Sequence, residues 1–375
     1  MSTVILPDGE FRFSGAGAAY ATPGKPFTSR VAYAAAHVVA DPRADNSPGA
    51  PAALDWKATL AFRHHLWAHG FGVAEAMDTA QRGMGLDYTA TRELVRRSAR
   101  EATGPIVAGV ATDQLPPGPA TLDEVRKAYA EQLADVQATG ATPVLMCSRH
   151  LAAAARHADD YLDVYGELLG QAGGPVVLHW LGKMFDPALA RYWGADPVAT
   201  VLALIGAHQD KVDGIKVSLL DEAFEVDLRR RLPSGVRLYT GDDFHYPQLI
   251  KGDSDGYSDA LLGIFAAIAA PAAAALRALD AGDEREYDRI LAPTVPLARH
   301  VFGPPTFYYK TGIVFLAWLA GHQSHFTMVG GLQSGRSPQH LATLIRLADA
   351  AGVLPDAELA AFRTRAWLTT VGVAQ

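Results

Sequence analysis

Lys216 stands alone among apolar neighbours, in the stretch Val212-Asp213-Gly214-Ile215-Lys216-Val217-Ser218-Leu219-Leu220. β-Branched and apolar residues predict a short buried strand here. Strand side chains alternate between faces, so Gly214, Lys216 and Ser218 share one face and Ile215, Val217 and Leu219 the other. A charged ammonium on a buried face is costly unless it is paired. Desolvation lowers the pKa of such an amine, and a neutral amine can attack a carbonyl carbon to form a Schiff base. The alternative is a lysine at a strand end that snorkels to solvent or pairs with a carboxylate.

Other residues suited to proton transfer or binding sit at the ends of similar apolar runs. His179 lies in the run 175–181 and is expected to act as general acid or base near neutral pH. A core histidine bonded to the backbone is the alternative reading. Glu75, Asp78 and Thr79 lie at the end of the run 70–77, Thr112 and Asp113 follow 105–110, and Ser148, Arg149 and His150 follow 142–146. Lys183 lies beyond His179, and Gly241-Asp242-Asp243 and His245 follow 236–240. From this set Lys216 and His179 are expected to be catalytic. Glu75, Thr79, Ser148, Ser218, Asp242 and Asp243 are expected to bind or polarise substrate. Cys147 follows Val144-Leu145-Met146 and is expected to be buried and inert.

These residues converge only if the elements bearing them do. Short apolar runs at 30–39, 70–77, 105–110, 142–146, 175–181, 212–220 and 236–240 read as strands, with an eighth, weaker one between 256 and 264. Segments 55–69, 88–103, 122–139, 152–171, 196–209 and 221–232 read as helices, with a short one at 246–250. Asp87 or Thr89 is placed to cap the second, and Gly140 to end the third. Eight β–α units in about 250 residues predict a parallel α/β sheet closed into a (β/α)8 TIM barrel. An open doubly wound sheet would require a glycine-rich phosphate loop after an early strand, whereas Gly15-Ala16-Gly17 precedes the first strand. The expected organisation is a leader at 1–29, the barrel at 30–275 and a C-terminal helical extension at 276–375 packed on the barrel. Active sites of such barrels lie at the C-terminal strand ends, where the candidate residues fall.

The chain has 375 residues, is 49% hydrophobic and 19% charged, and carries a net charge of −7. That supports a large core and argues against a nucleic-acid surface. One cysteine allows no disulfide framework within a chain and suits a cytoplasmic location. No signal peptide is expected, and the alanine-rich stretch 261–279, with Pro271 and Arg277, reads as a buried or interface helix and not as a membrane span.

Gly214-Ile215-Lys216, followed by Gly241-Asp242-Asp243, resembles the dihydrodipicolinate synthase/N-acetylneuraminate lyase family of class I aldolases. Val107-Ala108-Gly109-Val110 resembles that family's third strand and Ala270-Pro271 the segment after its eighth. Lys310 with the apolar run after it, then Arg336-Ser337-Pro338, resembles its C-terminal helical region. The likeness extends in layout over 30–354, and the strand-six and strand-seven motifs are its specific parts. It implies that Lys216 forms a Schiff base with a carbonyl substrate, a 2-oxo acid or an aldehyde, in a homo-oligomer without a cofactor. The reaction would make or break a C–C bond, or dehydrate. The sequence departs from the family at two places. Ser148-Arg149-His150 stands where the family's proton-relaying tyrosine is expected, with His179 the nearest other candidate. Ala74-Glu75-Ala76-Met77-Asp78-Thr79 replaces the family's paired threonines. The chain resembles a divergent branch.

Two other readings of the same residues remain. His37, Glu75, His179, Asp242, Asp243 and His245 supply nitrogen and oxygen donors for a divalent-metal-dependent aldolase or hydrolase. No tight motif such as His-x-His follows the first strand, so no metal is assigned. A non-catalytic barrel that binds a small molecule is the third reading.

Overall fold

The computed structural model describes residues 2–20 and 24–373. A hairpin of β1 (Thr3–Leu6) and β2 (Gly9–Arg12) precedes eight parallel strands. These are β3 (Ala32–Ala35), β4 (Gly72–Glu75), β5 (Ile106–Val110), β6 (Thr142–Leu145), β7 (Val176–Leu181), β8 (Val212–Ser218), β9 (Arg237–Thr240) and β10 (Asp259–Leu262). They close in the order β10-β3-β4-β5-β6-β7-β8-β9, a (β/α)8 TIM barrel as the alternation predicts. The Lys216 strand is β8, the sixth stave.

The barrel helices are α1 (Trp56–Ala68), α2 (Tyr88–Glu101), α3 (Leu122–Gln137), α4 (Arg149–Ala154), α5 (Ala158–Gln171), α6 (Pro197–Ala207), α7 (Glu222–Arg231) and α8 (Tyr246–Lys251). Side chains before their first turns accept orphan N–H groups: Asp55 for α1, Asp87 for α2, and Thr121 with Glu124 in a capping box for α3.

Three expected elements differ in extent. The first strand stops at Ala35 instead of running through 39. Beyond it the chain leaves the ladder to follow α1, where Val39 N–H donates to Thr59 Oγ1 at 3.0 Å and Asp55 N–H to Val39 O at 2.9 Å. The helix expected at 152–171 is two helices. Ser148 caps α4, and the Asp160 carboxylate, accepting from Arg156 N–H at 2.6 Å, starts α5 afresh. The leader carries the hairpin, whose Val4 and Leu6 face inward at a period of two.

Past β10 come α9 (Ala269–Asp280), α10 (Glu284–Leu291), α11 (Thr294–Val301), α12 (Tyr309–Leu319), α13 (Pro338–Ala350) and α14 (Ala357–Thr370). Every residue of α12 is buried. A helix apolar on all sides belongs inside a protein, and α12 is enclosed by its neighbours, with its first turn reaching the barrel mouth. Among the described residues no helix is long and apolar enough to cross a membrane.

Candidate active site

Strand alternation decides what enters the barrel. Ala35, Ala74, Val107, Val144, Val177, Tyr239 and Leu261 pack together as an interior layer. Above it, β7 and β8 run in register with His179 directly beside Lys216 and Leu181 beside Ser218. The layer shuts off the lower barrel, so the Lys216 amine faces the C-terminal end.

Burial lowers the Lys216 pKa, and the negative charges of Asp78 and Asp243 oppose that. Its Nζ has no ion pair or hydrogen bond among the described residues, although Lys216 is only 7% exposed. His179 is fully buried, and its Nε2 lies 3.3 Å from Ser218 Oγ. Among the described residues its Nδ1 has no hydrogen-bond partner. Burial, then the neighbouring Lys216, pushes its pKa well below the usual value, so the imidazole is neutral. Asp243 is buried, with Oδ1 accepting from Ile264 N–H at 2.8 Å. Burial raises its carboxyl above the ordinary range, against the pull of Lys216.

Gly241 has a steric reason. A Cβ there would fall 2.1 Å from Ser218 Oγ and 2.8 Å from Lys216 Cε. Only glycine lets the turn after β9 pass over Lys216 and carry Asp243 beside it.

A cavity of about 340 Å³ opens at the ends of β4 to β7. Asp78, Thr112, Cys147, Ser148, Arg149 and Lys310 lie on its wall. Ser148 Oγ and Thr112 Oγ1 are 2.6 Å apart, and Thr112 Oγ1 lies 3.0 Å from His150 Nδ1. Two ion pairs brace the wall: Arg82 to Asp113 at 2.6 Å and Arg149 to Asp186 at 2.5 Å. Cys147 donates to His179 O at 3.1 Å, and burial pushes its thiol pKa up, away from nucleophilic use.

The residues singled out in the sequence separate into two groups. Lys216, His179, Ser218 and Asp243 come together at the mouth, and Ser148 stands on the cavity wall. Glu75 points the other way. Ala74 takes the inward position on β4, so Glu75 faces the helices, where Arg63 holds it in two 2.8 Å bonds and Ser98 Oγ donates at 2.5 Å. Its expected place among substrate-binding groups is corrected to an outer-wall ion pair. Asp242 likewise shapes the backbone: Oδ1 accepts from Phe244 and His245 N–H at 2.8 and 3.0 Å, and Oδ2 lies 2.9 Å from His245 Nδ1. The Thr79 hydroxyl is 2.9 Å from Tyr309 Oη. His37 is buried against Gln323, 2.9 Å away. Among the described residues no three side chains of the His, Cys, Asp and Glu types converge as metal ligands, so the six considered for that role do not form a centre.

Sequence reasoning passed over Tyr309, Arg82 and the cavity-facing role of Lys310. The last had one signal, a lysine opening an apolar helix of otherwise uncharged residues.

The family described as "Protein of unknown function (DUF993)" matches residues 10–373. No curated protein matches the sequence. Among solved structures, the chain is similar to a putative dihydrodipicolinate synthetase from Pseudomonas aeruginosa, with a TM-score of 0.67 at 14% identity over 86% of this chain and 100% of that one. It is similar to dihydrodipicolinate synthase from Aquifex aeolicus, at 0.66 and 13% over 87% and 99%. It is also similar to an Escherichia coli K12 prophage protein of the dihydrodipicolinic acid synthase family, solved with pyruvate, at 0.66 and 14% over 85% and 98%. At these identities the likeness is one of fold.

Proposed function

The chain belongs to the DUF993 family, a divergent branch on the dihydrodipicolinate synthase fold, and from that premise we propose that it is a Schiff-base lyase of the aldolase type acting on a small carbonyl compound. The observation that carries this reading is the buried, unpaired amine of Lys216 at the barrel mouth, with neutral His179 beside it.

Desolvation raises the fraction of Lys216 that is uncharged, and the free lone pair attacks the carbonyl carbon. The carbonyl oxygen leaves as water, taking up two protons, and an iminium remains on Nζ. The iminium withdraws electrons from the adjacent C–C or C–H bond. C–C cleavage releases the departing carbon as a carbonyl compound, its hydroxyl proton passing to a base, while C–H cleavage passes the proton itself to that base; either leaves an enamine whose carbon must regain a proton. His179 is the expected proton carrier, because it is neutral and its Nδ1 has no partner among the described residues. Asp243, raised by burial, can hold a proton beside the amine and return it as the imine hydrolyses. Ser218 orients His179 and Ser148 contacts substrate. A cytoplasmic homo-oligomer is part of the same proposal.

Cyanoborohydride tests it by delivering hydride to the iminium carbon and fixing a secondary amine. Incubation with a panel of 2-oxo acids and aldehydes, followed by peptide mass mapping, is expected to place one adduct on Lys216. Folded protein that gives no Lys216 adduct with any carbonyl compound overturns the reading.

A further inference from the structure

Lys310 lies deep in the wall of the mouth cavity, on the first turn of α12, and is only 3% exposed. Its ammonium has no carboxylate within ion-pair distance among the described residues. Its contacts are Phe307 O at 3.2 Å, Met84 Sδ at 3.5 Å and the Tyr309 ring, 4.6 Å from Nζ to centroid. None of these neutralises a buried charge, and such a charge is costly without a counter-ion.

The other charges of the cavity are accounted for. Arg82 pairs with Asp113 and Arg149 with Asp186. Asp78 lines the cavity and has no side-chain hydrogen bond among the described residues, and its field reaches both Lys216 and Lys310. Asp78 is thus shared between the two buried amines; Asp243 also acts on Lys216, and Asp186, which acts on Lys310, is already paired with Arg149. A protonated imine at Lys216 keeps a positive charge that draws on Asp78, which leaves Lys310 without an anion of its own among the described residues.

We propose that Lys310 is the specificity-determining residue of the cavity, and that it holds a carboxylate of the substrate remote from the carbonyl that reacts at Lys216. This rests on the Schiff-base reading for the identity of the reacting group but not for the anion site. The cavity wall carries Lys310, Asp78 and the Thr112 and Ser148 hydroxyls, and the Lys216 amine on β8, outside that wall, lies within the field of the same Asp78. An ω-carboxylated aldehyde or oxo acid fits that layout.

Two measurements on the full chain separate the claims. The first traps Lys216 with cyanoborohydride, using succinic semialdehyde and, as its uncharged counterpart, butanal. Wild type is expected to give half-maximal adduct at a tenfold or lower concentration of the acid. Lys310→Met should bring the two within about twofold of each other, and Lys310→Arg should keep most of the preference. Calorimetry with succinate and with inorganic phosphate, neither of which can form an imine, reads the anion site alone. Succinate binding that weakens at least tenfold in Lys310→Met supports the site even if no carbonyl compound labels Lys216. Binding that depends on Lys310 for phosphate but not for succinate overturns the carboxylate assignment. An acid preference and a succinate affinity untouched in folded Lys310→Met overturn the proposal.

Discussion

At Lys216 function and stability pull apart. A lysine buried without a partner weakens the fold, and a natural sequence keeps one where its chemistry is needed. Lys216→Met preserves the shape and removes the desolvated amine. It is expected to abolish the Lys216 adduct and to leave the protein as stable as wild type or more so, by up to about 4 kcal/mol. A melting temperature lowered by more than about 5 °C would mean that the ammonium is a structural partner of Asp78 and Asp243. The neighbouring glycine gives the complementary case. Gly241→Ala drives a methyl into Ser218 and Lys216. The turn must shift, and adduct formation should fall at least tenfold with far-UV circular dichroism unchanged. Alternation on β8 made Lys216 and Ser218 legible as a pair, and the adjacent strand brought His179 to them. Asp243 was legible only through its motif.

At the scale of the element, the same alternation explains what the sequence did not disclose. On β4 a one-residue difference sends Ala74 into the barrel and Glu75 to α1 and α2, so a carboxylate at a strand end is not thereby a mouth carboxylate. Reading it correctly required knowing which residue of a run of short side chains faces inward, and Gly72-Val73-Ala74 carries no alternation of polarity to show it. The Arg63–Glu75 pair is buried on both sides. Breaking it with Glu75→Ala leaves Arg63 uncompensated and is expected to cost about 3–5 kcal/mol by urea denaturation. Adduct yield per folded molecule at Lys216 should stay within twofold of wild type. A selective loss of trapping in stable, folded Glu75→Ala would return Glu75 to the substrate.

At the scale of the whole molecule, the eight-unit alternation made the barrel legible, because each buried strand and amphipathic helix announces itself locally. The contribution of the C-terminal helices to the mouth was not legible. Nothing local in Tyr308-Tyr309-Lys310 states that this turn crosses about 230 residues of chain to meet Thr79, and only the fold brings them together. The pH dependence of stability is likewise a property of the assembled chain. His37, His65 and His322 are pushed down to about 3, 2 and 4 by burial, and His179 lower than its usual value, so the unfolded chain binds protons that the folded one does not. Stability therefore rises with pH up to about 6.5, where unfolded histidines lose their protons. Burial works oppositely on Glu225 of α7, whose carboxyl accepts from Ser258 Oγ at 2.8 Å and Thr240 Oγ1 at 3.0 Å and is pushed up to about 8. Folded Glu225 keeps a proton that the unfolded chain releases above about 4.3, so its share of stability is lost as pH rises toward 8. Asp243 acts in the same direction. The two trends cross near pH 6.5, above which the acids set a falling slope, opposed toward pH 8 by Lys310, whose pKa burial lowers to about 8. Urea midpoints measured from pH 6.5 to 8 are expected to fall for wild type, and to fall less steeply for Glu225→Gln by up to about 1.4 kcal/mol per pH unit. Equal slopes for the two proteins would mean that Glu225 is ionised in the folded state and that its two hydroxyl partners and Arg229 outweigh its burial.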